Sequence, residues 1–333
     1  MKRKIFAILA FLLCVTSVHA AVGQAVIDGV NYVLSSDGEV NTATVVAGDK
    51  KYAGHVAIPS AVTYAGIQYK VTAVDNEAFK ECDGLQSITF GENVTTIGDR
   101  AFSACTQLTE VVLPQGLTSI GDFAFIYCSG LKTIDIPNSV TNLGVCCFSL
   151  CITATSLKIG SGVSTIPLNA FESCYVLTSV VIPKNVNLIK NYAFADCRKL
   201  ASVTILSDAI SITGSDVFRD CSALDSLVFG ESVNTIRSSS FNLGNRTNVI
   251  SLAMFPPVCE GDTSPFAGVS PYCVLYVPKG SAADYRMAKG WAGQFRAVRE
   301  MTDSDHSANC DVNGDGVVDI ADATALIECI LAK

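Results

Sequence analysis

Two apolar signals alternate along most of this chain. The first is a string of the form L-x-x-I-x-I: Leu85, Ile88 and Phe90; Leu108, Val111 and Leu113; Leu131, Ile134 and Ile136; Leu177, Val180 and Ile182. Such alternation predicts a strand with one buried side, and Pro114, Pro137 and Pro183 stop it. The second signal is V-x-x-I, at Val94 and Ile97, Leu117 and Ile120, Val140 and Leu143, and Val186 and Ile189. A small residue and a phenylalanine then follow. Phe79, Phe102, Phe125, Phe148, Phe171 and Phe194 lie 23 residues apart, Phe218 comes after 24 and Phe241 after 23 more. A fixed period of that length predicts coils that stack, each resting on the one before. Eight coils at roughly 4.8 Å would make a parallel sheet about 35 to 40 Å long.

The flanks break the period. Residues 21–68 read as an N-terminal β-rich cap, with strands at Val26 to Val33 and Thr42 to Val46, continued by His55 to Ile58 and Tyr69 to Val71. The regular coils occupy 69–256. A modified last coil follows over 257–300, with a short helix expected from Ala282 to Trp291 and with Trp291 and Phe295 closing the end. Residues 301–309 are polar and read as a linker, and 310–333 form a loop-helix module. At the other end, Lys2, Arg3 and Lys4, the apolar run Ile5 to Val15 and Val18-His19-Ala20 read as a signal peptide over 1–20. The expected location is therefore extracellular or on the cell surface. Cys14 follows Leu13, where a lipidated cysteine usually follows Gly, Ala or Ser, so it reads as a leader residue, with lipidation the alternative. No second apolar run is long enough to cross a bilayer.

A cysteine stands three residues after seven of the eight phenylalanines: Cys82, Cys105, Cys128, Cys151, Cys174, Cys197 and Cys221. That regularity predicts reduced thiols packed as small apolar groups inside successive coils. Export permits disulfides elsewhere, and Cys259 with Cys273 is the expected bridge, Cys310 with Cys329 a second candidate. The formal charge of −8, without a basic cluster, argues against nucleic acid or an anionic membrane as partner. Only His55 and His306 remain outside the leader, and neither lies in the regular coils, so a histidine-based catalytic triad has no seat there. Cys146, Cys147 and Cys151 lack partners for a zinc site. Glu110 and Asp135 fall at unequal strand positions, which does not suit a glycosidase pair. The expectation is a protein without catalysis. Its natural binding surface is the outward side of the strands, where Thr89, Glu110, Thr133, Asp135, Ser156, Lys158, Ser179 and Ser202 form a low-charge, hydroxyl-rich ribbon. Exposed strands favour Ser, Thr and Val in any case.

The A-F-x-x-C-x-x-L-x-x-I-x-I-P unit at this period resembles the BspA-like leucine-rich-repeat proteins over about 69–256. P-P-V-C at 256–259 and L-Y-V-P-K-G-S at 275–281 resemble their terminal repeat. The resemblance implies a leucine-rich-repeat solenoid of mixed α/β type, mostly β, built on a parallel sheet. It also implies a secreted or surface-exposed protein that adheres to host proteins or to other bacteria, while the hydroxyl ribbon itself suits an extended protein or glycan partner. The tail carries a second resemblance. Asp311, Asn313 and Asp315 offer side-chain oxygens at loop positions 1, 3 and 5, Gly316 makes the turn, Val317 offers a carbonyl, and Asp319 and Asp322 fall at positions 9 and 12. This is similar to one calcium loop of a dockerin. Ala323, Leu326, Ile327, Ile330 and Leu331 then mark one face of a helix. The resemblance implies bound calcium and a cohesin-like partner in a polysaccharide-degrading assembly. A full dockerin carries two such repeats and this chain has one, with Asp322 where an EF-hand has Glu. The module is thus either a partner-binding unit or an end-piece docked on its own solenoid.

Overall fold

The computed structural model describes residues 20–301, apart from 214–215, 239–240, 242–246, 262–263 and 267–268. The chain opens with β1 (Ala20–Ile27), β2 (Val30–Ser36) and β3 (Asn41–Val46), paired antiparallel. One strand is expected from Val26 to Val33, but the structure folds that stretch into a hairpin. Asp28 and Gly29, at φ of 50° and 79°, make its two-residue turn, and Asp-Gly is a residue pair that tolerates this conformation. In β2 the residues Val30, Tyr32 and Leu34 are buried in alternation. β4 (Gly54–Ile58), β5 (Ala61–Tyr64) and β6 (Ile67–Val74) follow. β3 pairs with β6 in parallel, which is where hairpin pairing gives way to coiling.

From there each coil adds one strand to each of two parallel columns. In the first, β4 pairs with β7 (Leu85–Phe90), β7 with Glu110–Val112, and the column continues to Ala297–Glu300. The stretch His55 to Ile58, read from sequence as cap, therefore already lies in register with the regular strands. Among the described residues the column holds eleven strands, in hydrogen-bonded runs of three, two and six. At roughly 4.8 Å per step it is about 48 Å long. The second column, from β6 through Thr96–Ile97, Ser119–Ile120 and Asn142–Leu143 to Val258–Glu260, uses strands of two to five residues after β6. Glycine ends several of these short strands for a steric reason. A Cβ on Gly121 would lie 2.6 Å from the backbone nitrogen of Asp99 one coil earlier.

Between the second strand and the next first strand the backbone makes a turn with no glycine in its strained positions. Phe123 and Tyr127, two residues either side of Phe125, have φ of 57° and 61°, and Arg100 and Ala104 flank Phe102 in the same way. Left-handed backbone costs an L-residue about 1 to 2 kcal/mol. Here it turns alternate N–H groups toward the next coil: Phe123 donates to the Val145 carbonyl at 2.8 Å, Phe125 to Cys147 at 2.8 Å and Tyr127 to Ser149 at 3.0 Å. These bonds tie one coil to the next along a third line beside the two strand columns.

Inside, the phenylalanines form a column. Ring centroids from Phe79 through Phe102 and Phe125 to Phe148 are 4.9, 4.9 and 5.0 Å apart, with planes within 9° of parallel. From Cys105 to Cys221 each thiol of the ladder donates to a phenylalanine carbonyl of the coil before, as Cys105 does to Phe79 at 3.0 Å and Cys128 to Phe102 at 3.2 Å. Tyr52 starts the column, its ring 4.6 Å from Phe79 and its hydroxyl donating to the Val46 carbonyl at 3.1 Å. At the far end Phe241 stacks on Phe266, and Trp291 closes over Phe266, donating to the Pro257 carbonyl at 2.9 Å. The helix α1 (Ala282–Met287) ends before Trp291, shorter than its sequence predicts. The expected Cys259–Cys273 disulfide is absent, and both thiols are free and buried. Cys259 belongs to the second column and packs its sulfur toward Gly290, whereas Cys273 precedes a strand of the first column.

Phe125→Ala should lower stability by about 3 to 5 kcal/mol in denaturant unfolding, because it empties the middle of the ring column. A change below about 0.5 kcal/mol would refute the column's role. Burial pushes the Cys105 and Cys174 thiols from 9.0 up to about 12. Their contribution is therefore intact below pH 9 and is lost as pH rises from 9 toward 12, since the unfolded chain ionises and the folded chain does not. Stability should fall by roughly 1 kcal/mol per thiol on reaching a pH of about 10. A chain carrying Cys105→Ala and Cys174→Ala should lose stability less steeply over that range. An unchanged slope would sink this account.

Candidate binding face

The outward side of the first column is set by the strand alternation that buries Ile88, Ile134 and Leu157 and partly buries Val111. Its residues lie in two rows. In one, His55 pairs with Ser87 and Ser87 with Glu110, while Thr133 pairs with Ser156 and Ser179 with Ser202. In the other, Ala57 pairs with Thr89 and Thr89 with Val112, while Asp135 pairs with Lys158 and Val181 with Thr204. Every residue expected on this surface is on it. Thr89, Glu110, Thr133, Asp135, Ser156 and Lys158 are exposed, and Ser179 and Ser202 are half-buried. Glu110 stands opposite Ser87, and Asp135 opposite Lys158, so the two carboxylates are not a facing pair.

The face changes character along its length. Beyond Ser202, Thr204, Ser226, Val228 and Ile250 occupy the same rows but are buried. At the opposite end it runs into a cleft of about 530 Å³ that the sequence reading missed. Lys50, Lys51, Tyr52 and His55 line it together with the Asp28–Gly29 turn. His55 also shares a 2.6 Å hydrogen bond between Nδ1 and the Ser87 hydroxyl, which links cleft and ribbon. Nothing in the sequence marked this cleft, because its residues come from the hairpin and the first coil rather than from a repeating unit.

Among the described residues no three His, Cys, Asp or Glu side chains gather as a metal site. Cys147 and Cys151 are core residues, and Cys146 sits half-buried on the turn at φ 54°. The expected calcium ligands Asp311, Asn313, Asp315, Val317, Asp319 and Asp322 lie outside the described residues, as do the 1–20 leader apart from Ala20, and the Cys310 and Cys329 pair. Among the described residues no helix is long and apolar enough to cross a membrane.

Comparison with known proteins agrees with this architecture. The BspA type leucine rich repeat region matches in six copies over residues 60–177 and 164–254. A leucine rich repeat protein of T. pallidum is similar at 30% identity and a TM-score of 0.53, over 58% of this chain and 86% of that one. A leucine rich cell surface protein of Faecalibacterium prausnitzii shares 19% identity at a TM-score of 0.48, over 84% and 95% of the two chains. A leucine-rich repeat protein of Bacteroides ovatus shares 18% at 0.40, over 84% and 100%. No curated protein matches. Proteins of this repeat type are generally non-catalytic recognition scaffolds, typically secreted or on the bacterial surface. With its repeats matched over more than half of its length and its coils stacked as described, the chain belongs to the BspA-type leucine-rich-repeat family.

Proposed function

We propose that this protein is a secreted or surface-exposed recognition protein without catalytic activity, which presents the exposed part of its strand face to an extended protein or glycan. The observation that carries the reading is the exposed ribbon from Ser87 to Lys158, rich in hydroxyls and carrying three charges that sum to −1. Serine and threonine there offer both donors and acceptors, which suits peptide amides and sugar hydroxyls alike. Charge is confined to Glu110, Asp135 and Lys158, so long-range steering contributes little and contact complementarity decides the ligand.

The test uses the full chain against immobilised extracellular-matrix proteins and a glycan array. Thr133→Lys with Ser156→Lys should weaken any binding at least about tenfold, a loss of roughly 1.4 kcal/mol, by placing two ammonium groups side by side on the ribbon. The same charges at the turn positions Gln107 and Gln115 should leave it unchanged. Equal binding by both double variants would remove the ribbon from consideration.

A second reading rests on the tail. Four carboxylates and one amide at loop positions 1, 3, 5, 9 and 12, with the sharp turn at Gly316, form an oxygen donor set suited to calcium. Through Asp311, Asn313, Asp315, Val317, Asp319 and Asp322 the module would hold one calcium ion, and a cohesin-like partner would make the protein an accessory subunit of a polysaccharide-degrading complex. Calorimetry should show one calcium site in the intact chain and none after Asp311→Ala with Asp315→Ala. No uptake by the unsubstituted chain would end the calcium reading.

A further inference from the structure

The turns that carry the phenylalanines form a side of their own, and the repeat lets their outward positions be compared coil by coil. Three residues before the ring stand Asn76, Asp99 and Asp122, then Val145 and Leu168, then Asn191. Two residues after it stand Glu81 and Ala104, then Tyr127 and Leu150, then Ser173 and Asp196. Four after it stand Asp83, Thr106 and Ser129, then Ile152 and Tyr175, then Arg198. One backbone geometry thus carries mostly polar groups toward both ends of the stack and apolar ones in the coils of Phe125, Phe148 and Phe171. Tyr127 keeps 54% of its surface in solvent and Leu168 39%, while Phe123, Val145, Leu150, Ile152 and Tyr175 are half-buried. The interior has no need of them, because the rings and thiols already fill it. A contiguous apolar patch ringed by polar residues marks a contact surface.

The two rims of this patch differ in sign. Turn residues 75–83 and 99–100 hold five carboxylates and two cations, whereas 190–199 and 216–220 hold four cations and three carboxylates. Part of that charge is paired within the chain: Lys80 with Glu77, Lys51 with Glu81, Arg198 with Asp196 and Arg219 with Asp220. Arg100 lies over the Phe123 ring. What is left over is negative at one rim and positive at the other. Asp75, Asp83 and Asp99 accept hydrogen bonds only from uncharged donors. Lys190 and Lys199 are exposed and have no ion pair among the described residues.

From the apolar centre and the opposite signs of its rims we infer that the turn side is an interface with a second copy of this chain, related by a two-fold axis through the Phe148 coil. Such an axis makes the contact isologous. It reverses the order of the coils and also the direction in which the chain crosses each turn. A position three before the ring then faces a position four after it. Val145 meets Ile152 of the second copy, Phe123 meets Tyr175, and Tyr127 meets Leu168. At the rims Lys199 comes over the carboxylates of Asp75 and Asp99, and Lys190 comes near Asp83. Copies laid in the same direction would set like charge on like charge. The apolar centre spans only two coil steps, about 10 Å, so pairing is weak, with a Kd on the order of 10 μM. The ribbon from Ser87 to Lys158 lies on another side of the coil and stays open in both copies. A pair would present two ribbons running in opposite directions and gain from two-point attachment to a repetitive ligand. The inference stands independently of what that ribbon binds.

Sedimentation of the full-length chain tests this. The mass should rise from one chain to two between about 1 and 100 μM. Tyr127→Glu with Ile152→Asp should raise the Kd at least about tenfold and leave the thermal melt unchanged, since the first coil carries Glu81 and Asp83 at those same two positions. Lys199→Glu alone should weaken pairing, and adding Asp75→Lys should restore it to within about threefold, which adhesion through a merely sticky patch would not do. Cys146, half-buried close to the axis, gives a readout without substitution: a polar maleimide, with its site located by peptide mapping, should modify it more slowly as the concentration rises through the transition. A single chain at every concentration overturns the inference. So does a pair that survives the two acidic substitutions, which would put the contact elsewhere, or a charge exchange that restores nothing. Labelling of Cys146 that does not change with concentration also overturns it, and would mean that something other than a second copy, or nothing, lies on the turn side.

Discussion

One spacing governs this molecule. Parallel strands repeat at roughly 4.8 Å, and that distance is also where offset aromatic rings stack well. Because the two agree, a phenylalanine placed once per coil packs on its predecessor without bending the sheet, and the first rings sit 4.9, 4.9 and 5.0 Å apart. The spacing widens further along, to 5.9 Å between Phe148 and Phe171, 5.4 Å between Phe171 and Phe194 and 5.7 Å between Phe194 and Phe218. The third line of hydrogen bonds, through the left-handed turns, holds the wall beside the rings at the same repeat.

The repeat itself was legible because burial imposes it on residue type. Phe, Cys, Leu and Ile return at fixed intervals since each faces the same surroundings in every coil. The turns were not legible. Their strained positions hold Arg100, Ala104, Phe123, Tyr127 and Leu150, with no glycine to betray them, because the hydrogen bonds to the next coil outweigh the strain one residue at a time. Tyr52 was missed as the first ring because it lies 27 residues before Phe79, the hairpin β5–β6 having lengthened that coil. The outward face could be read from alternation alone, down to individual residues. Its division into an exposed and a buried half could not, since alternation tells which side a residue takes and not how far it is buried.

Core and face are separable in this architecture. Residues that make the chain a member of its family point inward, and residues available to a ligand point outward between them, so family membership fixes the scaffold and leaves the recognised molecule unspecified. The cleft at His55 adds a feature that belongs to no repeat. It places two lysines, a histidine and a tyrosine at the head of a ribbon that is otherwise almost neutral. A ligand long enough to lie along the strands from Thr89 to Lys158 would reach it.

A pile of parallel strands has two raw ends, and each could serve as a template on which another molecule continues the pile into a fibre. One edge is blunted at each end, the second column's at the start and the first column's at the finish. At the start the edge strand β1 runs antiparallel to its neighbour and carries a bulge between Ala21 and Gly23, so its free hydrogen-bonding groups fall out of step with an incoming strand. At the other end the last described strand presents Arg299 and Glu300, both exposed, where a continuing coil would need an apolar seat. At those two edges the geometry that lets coils add within one chain is kept from adding chains to one another.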